Sequence, residues 1–121
     1  MILLGGEIDK SLELFGKCPY ATVQKVFSGK WVILIIHHLE KGTLRFGELK
    51  RKLPEVTQAT LTKQLRELEH SGMIKRNVYP EVPPRVEYSL TEIGREFISV
   101  LDEFEVFGNK YIEYMNNSVS K

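Results

Sequence analysis

The stretch Thr57-Gln58-Ala59-Thr60-Leu61-Thr62-Lys63-Gln64-Leu65-Arg66-Glu67-Leu68-Glu69-His70-Ser71-Gly72 reads as one amphipathic helix with both ends marked. Leu61, Leu65 and Leu68 recur at spacings of four and three, which puts them on one face of a 3.6-residue repeat and predicts that this face is buried. Thr57 supplies a hydroxyl that can accept the unpaired N–H groups of the first turn, and Gly72 suits the end of such a run. With the leucines turned inward, Ala59, Lys63 and Arg66 point outward, and Gln58 and Thr60 lie exposed on the first turn.

Working outward, a second short helix is expected just upstream, from Phe46 to Leu53, because Pro54 disfavours helical geometry in the residue before it. Thr43 to Arg45 reads as a short strand. Before it, Trp31-Val32-Ile33-Leu34-Ile35-Ile36 continues through His37, His38 and Leu39 towards Gly42. That is about a dozen residues, a helix length, apolar all round and so placed in the middle of a domain. Ala21 to Phe27 is helix-compatible and stops at Ser28-Gly29. Downstream, Ile74, Val78, Val86, Tyr88 and Leu90 alternate with polar residues as paired strands do. Pro80, Pro83 and Pro84 make the tip between them stiff and incompletely paired. Thr91 then caps a last helix with Ile93, Phe97, Leu101, Phe104, Tyr111 and Met115 on one broad face. From Glu92 to Met115 it would span about 36 Å if unbroken, and Gly108 is a point where it could kink. An apolar stripe that outruns its own domain predicts a homodimer built on this helix.

The chain has 121 residues, 42% apolar and 27% charged, with one cysteine. Those values fit a single soluble domain with a core large enough to form without disulfides or a structural metal. The start, Met1 to Gly6, lacks the basic residues and cleavage pattern of a signal peptide, and no apolar run approaches a membrane span. A cytoplasmic protein with no membrane partner is expected. The formal net charge is +1, yet the charge is segregated: Gly42 to Glu87 carries +3 and Tyr88 to Lys121 carries −3.

Two short helices joined by a tight turn and followed by a hairpin give a mainly α fold with a small β wing, the winged helix-turn-helix. In that arrangement the second helix enters the major groove and the hairpin lies beside it. Gln58, Thr60 and Lys63 are residue types that read base edges, and Ala59 is small enough to allow close approach. Lys50, Arg51 and Lys52 form a run at the end of the first helix of the pair, and Lys75, Arg76 and Arg85 stand on the hairpin, where phosphates would lie; Arg66, outward on the second helix, also favours DNA. Lys50 to Lys52 would also complement a helix C-terminus in any protein.

Other classes find less support. There is no glycine-rich phosphate loop, nucleophile elbow or HExxH pattern, so no enzyme is expected. Adjacent His37 and His38 are about 100° apart on a helix and cannot share a face, so neither a metal nor any other cofactor is expected. A winged helix that docks on proteins without touching DNA is the alternative, and Glu67 and Glu69 keep the recognition helix from being uniformly basic.

These blocks together resemble the HxlR family of winged-helix transcriptional regulators, relatives of the MarR-type regulators. The matching blocks are Cys18-Pro19, Gly29-Lys30-Trp31, Arg45-Phe46-Gly47-Glu48-Leu49, Leu61 to Glu69, Gly72-Met73-Ile74-Lys75-Arg76, Val78 to Thr91 and Gly94. The resemblance implies a DNA-binding regulator without enzyme activity, dimerised through its N-terminal segment (1–20) and C-terminal helix (92–121) around a winged core (21–91). It places the recognition helix at Gln58 to Ser71 and the wing at Tyr79 to Arg85. The partner would be a roughly palindromic double-stranded operator, with room for a small-molecule effector that the sequence does not name. It also makes Cys18 a candidate redox sensor; physically, Lys17 and a following helix start both favour a thiolate, whereas many single cysteines are merely small buried apolar groups.

Overall fold

The computed structural model describes residues 13–119. Its elements are α1 (Pro19–Val26), α2 (Val32–Leu39), β1 (Leu44–Arg45), α3 (Phe46–Lys52), α4 (Gln58–His70), β2 (Ile74–Tyr79), β3 (Arg85–Leu90), α5 (Glu92–Glu96) and α6 (Ile98–Val119). The strands form one antiparallel sheet in the order β1-β3-β2. The expected hairpin therefore gains a third strand, with Leu44 opposite Tyr88 and Arg45 opposite Glu87. Pairing between β2 and β3 runs from Ile74–Leu90 to Tyr79–Arg85 and leaves Pro80 to Pro84 as the unpaired wing tip.

The leucine stripe of α4 does what its spacing predicts. Leu61, Leu65 and Leu68 are buried against Ile35, Ile36 and Leu39 of α2, Leu49 of α3, and Ile74, Tyr88 and Leu90 of the sheet. Thr57 Oγ1 accepts the N–H of Thr60 at 3.1 Å, and Gly72 takes a φ of +85° just past the helix, a conformation that costs glycine least. Ser71, expected inside the helix, is its C-cap.

Three expectations need correction. The α2 segment is not buried all round: Val32, Ile35, Ile36 and Leu39 face the core, while Ile33 and Leu34 are 37% and 41% exposed, because the sheet and α3–α4 cover only one side of it. Strand alternation holds only in part: Ile74, Tyr88 and Leu90 are buried, but so is Ser89 between the last two on the central strand β3, while Val78 is exposed where β2 runs out beyond the core into the wing. The last helical segment breaks at Phe97 rather than at Gly108. Thr91 Oγ1 caps α5 at the N–H of Gly94, 3.1 Å away, and Phe97 ends that helix by turning into the core. Its ring stacks on Phe27 with centroids 4.2 Å apart and meets Phe104 edge-on. Gly108 keeps its own N–H and weakens a helix by only about 1 kcal/mol relative to alanine, so α6 passes through it without interruption.

Most of α6 lies outside the core. Among the described residues Leu101 is its last buried one; Phe104, Phe107, Tyr111, Ile112, Tyr114 and Met115 are all exposed. No helix among the described residues is long and apolar enough to cross a membrane.

Candidate nucleic-acid interface

With its leucines inward, α4 leaves Gln58, Ala59, Lys63 and Arg66 exposed, as expected. Thr60 differs. It is half-buried, and its hydroxyl accepts from Thr57 Oγ1 at 2.9 Å, so the helix cap engages it.

One side of this face opens into a groove of about 1100 Å3 whose floor is Ala59, Lys63, Arg66 and His70 of α4 and whose far wall is Lys25, Val26 and Ser28 of α1 and the turn after it. Three cations, Lys25, Lys63 and Arg66, line it against one carboxylate, Glu67. Among the described residues no ion pair engages any of those three. Lys25 is the contribution that sequence reasoning missed, because α1 is too short and too plain in composition to suggest where it lies in the fold.

The remaining predicted cations divide into available and engaged. Arg51 and Lys52 are exposed at the end of α3, whereas Lys50 is half-buried and donates from Nζ to the carbonyl of Pro54 at 3.4 Å. Lys75 is exposed on β2. Arg76 lies on the same strand, 3.7 Å from Glu69 of α4. Arg85 is drawn inward: its Nε is 3.2 Å from Glu81 and 3.6 Å from Glu87, and its guanidinium sits 4.2 Å above the Tyr79 ring. Because Nε forms no aligned hydrogen bond there, these are charge contacts. They brace the wing base and make Arg85 more a scaffold than an outstretched cation.

His37 and His38 lie with ring centroids 5.2 Å apart at the end of α2, and no group of three or more metal-ligating side chains occurs among the described residues. Burial, then the neighbouring His37 and Lys52, hold the His38 imidazole below its ordinary pKa.

The comparisons with known proteins bear on this geometry directly. Residues 26–116 match the HxlR-like helix-turn-helix family. The chain belongs to that family. An HTH-type transcriptional regulator of Methanothermobacter thermautotrophicus is 47% identical over 104 residues, covering 86% of this chain and 79% of that one. The HTH-type transcriptional regulator YdeP of Bacillus subtilis is 46% identical over 104 residues, covering 86% and 81%. Among solved structures, the redox regulator HypR in its reduced form superposes with a TM-score of 0.77 at 39% identity, covering 82% of this chain and 98% of that chain. The first two are named as HTH-type transcriptional regulators and HypR as a redox regulator; none is named as an enzyme.

Several blocks that this HxlR-like chain carries now have a physical reason. Gln64, on the leucine helix, is buried and its Oε1 accepts the N–H of Trp31 at 2.8 Å, capping the start of α2 from another element. Gly29 makes room for it, since a Cβ there would stand 3.0 Å from the Gln64 amide and 2.7 Å from Val32. Gly94 packs so tightly under the loop before β2 that a Cβ would collide with the carbonyl of Met73, and the Thr91 hydroxyl donates to the Met73 and Gly72 carbonyls. Gly29-Lys30-Trp31, Gln64, Gly72-Met73 and Thr91 to Gly94 thus fasten α2, α4, the sheet and α5 together. Cys18 is half-buried at the N-cap of α1 and caps it with backbone only; its carbonyl accepts from the Thr22 hydroxyl at 2.7 Å. Of the N-terminal segment, residues 1–12 lie outside the described residues.

Proposed function

We propose that the chain is a homodimeric, sequence-specific DNA-binding regulator that reads the major groove with α4. The observation that carries this is the outward face of that helix. Polar Gln58 and cationic Lys63 and Arg66 remain exposed beside the small Ala59 while every leucine of the helix is buried, and further cations flank them on α1, α3 and β2. A face meant for a protein partner would expose apolar or acidic groups instead, and here Glu67 is the one exposed carboxylate of the helix. Gln58 would address base edges, Lys63 and Arg66 bases or phosphates, and Ala59 would permit close approach; Arg51, Lys75 and Arg76 would meet the backbone. The exposed aromatic face of α6 supports the dimer, and a two-fold pair of α4 helices would meet half-sites about 34 Å apart on a roughly palindromic operator.

The test is a titration of the purified protein against duplexes enriched from a randomised library. A linear fall of log K with log salt is expected, together with a loss of about 1 to 3 kcal/mol and relaxed base preference for Gln58→Ala. A flat salt dependence defeats the DNA reading.

Cys18 supports a second, narrower element of the proposal, control by thiol oxidation. Structural relatives include HypR, described as a redox regulator in oxidised and reduced forms, and YodB of Bacillus subtilis, whose structure is known after diamide treatment. Operator affinity should change several-fold after diamide in the wild type and stay constant in Cys18→Ser. An unchanged wild type removes the sensor.

A further inference from the structure

Next to the groove between α4 and α1, and sharing Thr62 and Arg66 with it, the flank of α4 facing the sheet carries a smaller cleft of about 130 Å3, walled by Thr62, Arg66 and Glu69 of the helix and by Arg76 and Tyr88 of the sheet. Arg76 and Tyr88 are cross-strand partners, so the sheet register holds them side by side opposite the helix. The cleft has the volume of about four water molecules, room for one tetrahedral oxyanion with residual solvent. Four of its five walls bear hydrogen-bond donors, two of them guanidinium forks suited to phosphate oxygens. Burial, as the main cause, raises the Tyr88 phenol above its ordinary pKa, with Glu69 adding to the shift and Arg76 and Arg66 opposing it. The phenol is therefore protonated at neutral pH and can donate.

Glu69 is the exception. Its Oε1 lies 3.7 Å from Arg76 Nε, with both side chains well exposed. It offers only acceptors to an incoming anion and occupies the guanidinium that the anion would use. An exposed pair of this kind is a weak clasp, easily opened by a stronger acceptor.

We propose that this cleft seats a single backbone phosphate of bound DNA, and that Glu69 is a built-in brake on that contact. In the free protein Glu69 holds Arg76; on the duplex the phosphate takes Arg76 together with Arg66 and the Thr62 and Tyr88 hydroxyls, while the Glu69 carboxylate works against it. Because a phosphate carries no base identity, the brake lowers affinity for every sequence by a similar factor. This rests on the DNA-binding function proposed for α4.

The experiment compares wild type, Glu69→Gln, Tyr88→Phe, Arg76→Gln and the Glu69→Gln/Arg76→Gln double variant on two duplexes, one enriched from a randomised library and one of unrelated sequence. Thermal melting confirms that each variant is folded. Glu69→Gln should tighten both complexes alike by about two- to fivefold at low salt, and Tyr88→Phe, which keeps the buried ring, should weaken both. The gain from Glu69→Gln should shrink in the Arg76→Gln background, since the two residues act on one phosphate. A neutral methylphosphonate walked through the duplex should abolish the gain at one position per half-site. Wild-type binding with no change in Glu69→Gln, or tightening confined to the enriched duplex, overturns the brake. A wild type that binds neither duplex instead overturns the DNA reading itself.

Discussion

Helix α4 and the outer part of α6 carry the same kind of sequence signal, an apolar stripe at helical spacing, and the structure uses the two stripes differently. On α4, Leu61, Leu65 and Leu68 are at most 1% exposed, because α2, α3 and the sheet close over them. On α6 the stripe is buried only as far as Leu101, with Phe104 still edge-on to Phe97; beyond them Phe107 is 69% and Tyr114 65% exposed. Nothing in the spacing separates these outcomes. What separates them is reach: α4 is 13 residues and bracketed by other elements, whereas α6 is 22 residues, about 33 Å long, and leaves the core within its first turns. An isolated stripe of exposed aromatics this size is unusual on a monomer, and it continues as a ladder of edge-on contacts from Phe107 to Tyr111 to Tyr114. The first stripe is a core and the second is the surface on which the proposed dimer would be built.

Substitutions can break this contrast. Leu65→Ala should have the largest effect, a loss of about 2 to 5 kcal/mol from transfer and cavity terms together, read as a lower midpoint in urea unfolding whatever the protein concentration. Phe107→Glu with Tyr111→Glu should leave the far-ultraviolet circular dichroism of the winged core unchanged. It should convert a dimer into a monomer by sedimentation and cost most of the operator affinity, because two half-sites would no longer be read as one unit. If the wild type sediments as a monomer at every concentration, α6 is not the dimer element and the contrast fails.

Much of the fold is legible in the sequence for physical reasons. Side-chain periodicity, a threonine cap and a terminal glycine are local, so α4 and its inward and outward faces can be read from one stretch. The C-terminal break is not, because Gly108 announces flexibility in the sequence, while the true bend at Phe97 is set by a ring 70 positions away, Phe27. Gln64 is hidden for a similar reason. A polar residue on a leucine helix reads as solvated unless the distant Trp31 N–H that it satisfies is known. At the interface, the identity of the cations is visible but their employment is not. Lys50 and Arg85 look no different in sequence from Lys75, yet one ties down the turn at Pro54 and the other is held by two carboxylates and a ring.

Lys25 offers the finest test of how far the interface extends beyond the helix-turn-helix pair. It is exposed on α1, a helix whose one buried residue is Ala21, and it lines the groove floored by Lys63 and Arg66. If the sugar-phosphate backbone follows that groove while α4 occupies the major groove, Lys25 neutralises one phosphate per protomer. Lys25→Gln keeps a flexible polar side chain of nearly the same reach and removes the charge. It should leave folding stability and base preference unaltered, weaken enriched and unrelated duplexes by the same small factor, and reduce the slope of log K against log salt by about 0.9 for each phosphate no longer neutralised. A slope equal to wild type would confine the interface to α3, α4 and the wing. A reduced slope would join α1 to it and bring the DNA backbone onto the same short helix that Cys18 caps.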